Sequence, residues 1–206
     1  MTIQAPQTAK SVYRFDEGNA TMADLLGGKG SNLCEMARLG LPVPPGFVIS
    51  TQVCRDYLAR GRNLPDGLEE SIRDNIQTLE KSIGHEFGSP TNPLLVSVRS
   101  GARISMPGMM DTILNLGIND QIVAGLAKMM GDPRPAYDAY RRFLQIYSEV
   151  VMGVEAEAFE KVLDEHKARA GVTQDFQLST EQLKEVVSGF KQVAKAATGS
   201  EPPSDP

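Results

Sequence analysis

The stretch from Leu94 to Gly117, LLVSVRSGARISMPGMMDTILNLG, constrains this chain more than any other. It opens as a buried strand, in which alternation puts Leu94, Val96 and Val98 on one face and Leu95 on the other. Arg99, Ser100 and Gly101 follow where strand gives way to loop, then Arg103 and Met106-Pro107-Gly108-Met109-Met110. Asp111-Thr112 closes the loop ahead of an apolar segment from Ile113 to Gly117. Guanidinium groups bind phosphate or carboxylate through paired, charge-assisted hydrogen bonds. Glycines let backbone N–H groups come close to an oxyanion. A surface loop with scattered charge is the competing reading, but the loop's methionines want burial or a ligand face rather than water.

A second stretch has related chemistry. Leu25-Leu26-Gly27-Gly28-Lys29-Gly30 leads into a helix predicted from Ser31 to Leu39, with Asn32 and Glu35 as a capping box and Gly40 as its stop. Lys29 therefore lies between glycines just before a helix N-terminus, where backbone donors attract anions. The GxxxxGK[ST] spacing of a Walker loop is absent, because Lys29 is followed by Gly30. GGKG by itself fits a flexible turn as well as an anion site.

The remaining elements follow from periodicity and punctuation. Val12 to Phe15 alternates like an edge strand, Asp16 to Ala20 is a turn, and Leu41 to Gly46 is a stiff proline-rich connector before a short strand, Phe47-Val48-Ile49. Thr51 is placed to cap a helix through Arg60. Another helix is predicted from Leu68 to Ile83, with Leu68, Ile72, Ile76, Leu79 and Ile83 on one stripe and Gly84 as its end. From Asn119 the chain becomes helix after helix: Asp120 to Met130, Pro135 to Met152, Glu155 to Ala170, and a last one after Ser179 or Thr180 carrying Leu183, Val186, Val187, Phe190 and Val193. Arg141, Arg142, His85 and His166 are expected at the solvated surface, and Gly199 to Pro206 is expected to be a linker or tail.

Composition narrows the function. A net charge of -5 and a pI near 5.1 argue against nucleic acid as a partner, which asks for a basic face. The two cysteines, Cys34 and Cys54, form no CxxC pair and have no nearby histidine, so no zinc site is expected. No apolar run approaches the roughly 20 residues of a membrane span. Residues 1–11 have no apolar core of a secretory signal, which fits a soluble cytoplasmic protein.

SVRSGARISMPGMMDTILNLG closely resembles the signature loop of the pyruvate phosphate dikinase family, within its N-terminal ATP-grasp nucleotide-binding domain. VYRFDEGNATMADLLGGKGSNLCEMARLGLPVPPGFVIST (Val12–Thr51) and AYDAYRRFLQIYSEVVMGV (Ala136–Val154) resemble the same family in the same order. The resemblance implies an α/β (α+β) class. It implies a partial ATP-grasp subdomain over 1–118, a four-helix inserted subdomain over 119–198 and a tail over 199–206. It places Lys29 and Arg99 on ATP phosphates. Gly101, Gly108, Met109, Asp111 and Thr112 would shape the loop, with backbone N–H groups or the Thr112 hydroxyl reaching oxygens. Asp111 is equally readable as a helix cap, and Arg103 as either a further phosphate contact or a structural residue.

The resemblance implies further parts outside these 206 residues. The acidic ligands of Mg²⁺ are expected beyond this chain, so no metal ligand is assigned within it. No catalytic residue is assigned either, because the carrier histidine sits on a swivelling domain elsewhere, and neither His85 nor His166 lies in such a motif. A domain binding pyruvate or phosphoenolpyruvate and a homodimeric full-length parent complete the expectation. Three readings stay open: a segment of a dikinase, a short paralogue serving as a binding or regulatory module, and a piece of a phosphoenolpyruvate synthase-like enzyme.

Overall fold

Strand β1 (Val12–Arg14) pairs antiparallel with β2 (Phe47–Ile49), Val12 opposite Ile49. The computed structural model describes residues 10–101 and 112–205. These residues fall into two compact units, 10–84 with Ser100–Gly101 and 85–99 with 112–205.

In the first unit two 3₁₀ turns, Phe15–Glu17 and Ala20–Met22, follow β1 in place of the expected simple turn. Helix α1 runs Ala23–Arg38, α2 Thr51–Ala59 and α3 Leu68–Ile83. Helix α3 has the predicted bounds, and Gly84 ends it in the left-handed region, φ +79°, which a glycine enters without a Cβ penalty. Its Leu68 and Ile72 pack with Val12, Val53 and Phe47 into a small core. Gly18 sits where a side chain would strike Leu26 and Cys34, which fixes the seat of α1 against the preceding turn.

The second unit starts with a parallel pair, β3 (Glu86–Phe87) and β4 (Pro93–Leu94). An antiparallel hairpin follows, β5 (Val96–Arg99) with β6 (Thr112–Leu116). Four helices complete it: α4 (Asp120–Met130), α5 (Pro133–Val150), α6 (Ala156–Ala170) and α7 (Thr180–Thr198). The starts of α4, α5 and α7 have a chemical cause. The Asn119 side chain accepts from the Gln121 and Ile122 N–H groups, Asp132 accepts from Arg134 N–H just before Pro133, and Ser179 forms a capping box with Gln182. Phe159, Phe190, Leu183, Val186, Ile122 and Leu144 form the core, with the two phenyl rings edge to face at 5.0 Å. Leu95, Ile113 and Leu116 of the hairpin region pack on that core.

The structure departs from the sequence expectations in several places. The strand through Leu94–Arg99 is broken: Leu94 is buried in β4, but Val98 in β5 is 45% exposed. A bulge between Val96 and Val98, with Asn115 at φ +58°, resets the alternation that would have buried Val98. Arg141 is not solvated; its side chain is 3% exposed and bridges Asp138 at 2.8 Å and Asp175 at 2.8 Å. His166 is 11% exposed, with Nδ1 2.8 Å from the Val162 carbonyl oxygen. The segment after α7 folds back, its Ser204 carbonyl accepting from Asn119 Nδ2 at 2.8 Å and Glu201 pairing with Lys195.

Candidate functional site

Helix α1 begins earlier than the sequence suggested, and it is broken. Gly27 has φ +70° and ψ 164°, dihedrals no other residue adopts readily, so the helix restarts after it. Lys29 therefore belongs to the first turn of the restarted helix rather than to a loop ahead of it. The predicted Asn32–Glu35 capping box does not exist at that point. Glu35 instead accepts from the Ala20 N–H and binds Arg38, whose guanidinium holds its carboxyl below the usual range.

The glycines around Lys29 have packing causes as well as conformational ones. A Cβ on Gly30 would lie 2.9 Å from Val48 Cγ1, so the restarted helix rests directly on β2. Ser31 is buried and its hydroxyl donates to the Gly28 carbonyl at 3.1 Å. Lys29 itself is exposed. The partial positive charge of a helix N-terminus and an ammonium group thus coincide on one turn, an arrangement suited to a phosphate.

Arg99 ends β5 exposed, and Thr112, half-buried, opens β6. The two are register partners, so the hairpin holds the two ends of the intervening loop opposite each other. Among the described residues nothing lies within 4 Å of the place a Cβ on Gly101 would take. Among the described residues no carboxylate pairs with Lys29 or Arg99, so both charges remain available to a ligand. Gly108, Met109, Asp111 and Arg103 lie outside the described residues.

One contact was not anticipated. Thr51, expected to cap α2, does not do so; its hydroxyl donates to the Asp24 carbonyl of α1 at 2.6 Å. The only sequence signal was a hydroxyl two residues past a short strand, which fits a cap equally well.

Comparison with known proteins gives the chain a family. The family described as "Pyruvate phosphate dikinase, AMP/ATP-binding domain" matches residues 23–63 and 60–151, which include Lys29, Arg99 and the loop between β5 and β6. The chain belongs to that family of nucleotide-binding domains. Among individual relatives, the pyruvate, phosphate dikinase of Rhizobium meliloti (strain 1021) is 53% identical over 202 residues, covering 96% of this chain and 22% of the relative. That of Clostridium symbiosum is 53% identical over 199 residues, covering 96% and 23%. The chloroplastic pyruvate, phosphate dikinase 1 of Oryza sativa subsp. japonica is 51% identical over 205 residues, covering 98% and 22%. The chain therefore matches the N-terminal AMP/ATP-binding segment of these dikinases and spans about a fifth of their length. Among the described residues, no helix is long and apolar enough to cross a membrane.

Proposed function

We propose that this chain supplies the first half of an ATP site in a pyruvate phosphate dikinase, with Lys29 and Arg99 holding ATP phosphates. The carrying observation is the turn at Lys29, where a glycine-enforced helix restart places an exposed ammonium at a helix N-terminus. Gly101, Gly108, Met109, Asp111 and Thr112 would shape the loop, with backbone N–H groups or the Thr112 hydroxyl reaching oxygens, and Thr112 opposite Arg99 at the hairpin's mouth supports this. Phosphoryl transfer needs positioned charge more than covalent help from the protein, which is what two cations and a glycine-rich backbone offer.

The parent reaction would interconvert ATP, phosphate and pyruvate with AMP, pyrophosphate and phosphoenolpyruvate through a phosphohistidine on another domain. A further domain would bind pyruvate or phosphoenolpyruvate, and the parent would be a cytoplasmic homodimer. Among the described residues no group of three or more His, Cys, Asp and Glu gathers to hold a metal. The acidic ligands of Mg²⁺ would lie beyond this chain, and no step is assigned to it. The ATP-grasp organisation is part of the same proposal, with a nucleotide-binding part over 1–118, an inserted helical subdomain over 119–198 and a tail over 199–206. The hydrogen bond between Asn119 and Ser204 supports the insertion, since it sets the chain's way into the helices beside its way out. No observation favours the short-paralogue or phosphoenolpyruvate synthase-like alternatives over this reading.

Calorimetric titration of the 206-residue chain with ATP tests the assignment. Half a site should bind weakly, and Lys29→Ala or Arg99→Ala should weaken it about tenfold or more, as loss of a charge-assisted bond does. Tight ATP binding left unchanged by both substitutions would refute the phosphate contacts.

A further inference from the structure

We infer that Thr51 is the positioning residue of the Lys29 turn. The inference rests on the phosphate-contact reading of Lys29 and extends it to a residue that touches no phosphate.

The restarted helix needs its direction set. At the break, Gly27 departs from helical dihedrals, and a glycine-rich segment, Gly27-Gly28-Lys29-Gly30, has little stiffness of its own. An ammonium on such a segment is useful only if the surroundings fix where it stands. Two contacts do so, one on each side of the break, and both come from the same short piece of chain. After the break, Val48 of β2 lies directly beneath Gly30, at 2.9 Å from the place of a Cβ. Before the break, the Thr51 hydroxyl at the head of α2 donates to the Asp24 carbonyl at 2.6 Å.

The β2–α2 corner is itself anchored. The Ser50 N–H donates to the Ser11 carbonyl beside β1, and Val53 sits in the small core with Val12 and Leu68. It therefore serves as a rigid template for both halves of α1. Arg55, one turn along α2, donates to Thr51 Oγ1 at 3.5 Å and is held by Gln52 at 2.8 Å. The threonine oxygen thus accepts on one side while it donates on the other, which fixes its hydroxyl hydrogen on Asp24. The contact is specific to a hydroxyl: a valine of the same shape leaves the Asp24 carbonyl without this donor.

A double-mutant cycle on the 206-residue chain, read by ATP titration, tests this. Thr51→Val should raise the ATP dissociation constant about three- to tenfold, the worth of one hydrogen bond. Thr51→Ser should restore it. In a Lys29→Ala background Thr51→Val should have no further effect, because there is no ammonium left to position. A merely structural Thr51 would weaken binding equally in both backgrounds, and that result would overturn the inference, as would unchanged affinity in Thr51→Val. If instead the wild-type chain binds no ATP, or Lys29→Ala binds it as well as wild type, the phosphate-contact reading falls and takes this inference with it.

Discussion

Replacing Gly125 by alanine puts a methyl group where there is no room for one. Gly125 lies in α4, and a Cβ there would sit 1.7 Å from the Pro90 carbonyl oxygen and 2.6 Å from its carbon. Relaxed carbon–oxygen contacts are about 3.3–3.6 Å, so helix and loop would have to part by roughly 1.5–2 Å. Neither side can yield by rotating a side chain, since the obstructing atoms are backbone and α4 is locked by buried Ile122, Val123 and Leu126. Overpacking costs about 1–3 kcal/mol and more when backbone must move. The better helix propensity of alanine returns about 0.8–1 kcal/mol. The net expectation is a loss of about 2 kcal/mol, close to a 30-fold shift in the folding equilibrium. For a chain of this size that corresponds to a melting temperature lower by about 4–8 °C. Thermal melting followed by circular dichroism measures it, with Gly189→Ala as the comparison. There the added Cβ meets only the end of the Val162 side chain at 2.8 Å, which can shift, so the loss should be much smaller. A Gly125→Ala chain as stable as wild type, or less affected than Gly189→Ala, would refute the reasoning.

Three further outcomes follow from the helical unit. Arg141→Met should cost about 1–2 kcal/mol in urea unfolding, because Asp138 and Asp175 lose their bonds to the buried guanidinium but keep Arg142 and Lys167 as partners. An unchanged midpoint would mean the triad contributes nothing. Alkali should destabilise the unit. Burial lowers the Lys191 pKa, but bonding to Asp120 and Tyr140 outweighs it and raises the folded-state value, while burial raises that of Tyr140. Both groups hold protons more tightly when folded, so their stabilisation is complete below pH about 10 and is lost as pH rises beyond it. Tyr140→Phe should flatten that decline in pH-dependent melting, because it removes the phenol and one of the partners that raise Lys191. Finally, Asn119→Asp should keep the α4 cap but free the segment at Ser204, seen as faster amide exchange in residues 200–205 with α4 still protected.

The sequence made the long helices legible and hid what joins distant parts of the chain. Helices α3 and α4 end where their apolar stripes meet Gly84 and Gly131, both in left-handed conformation, because stripe and stop are local signals. Arg141 was placed at the solvated surface because Asp175, one of the two carboxylates that hold it, is distant in the chain and reached only after α6 has folded back. Val98 was misplaced because a bulge and a left-handed Asn115 break the two-residue period that alternation assumes. The site divides the same way. Lys29 and Arg99 stood out as cations beside glycines. The break at Gly27 and the reach of Thr51 to Asp24 could not, since each depends on β2 and α2 packing beside a helix that reads as a loop.

Asn119 illustrates how narrowly a single buried polar position can be specified. One end of its amide must accept, taking the N–H groups of Gln121 and Ile122, and the other end must donate, to the carbonyl of Ser204. Aspartate and serine satisfy the first demand but not the second, and glutamine is too long to satisfy the first. In a saturation library selected for both an intact α4 and a docked C-terminal segment, this position should therefore collapse to a single letter.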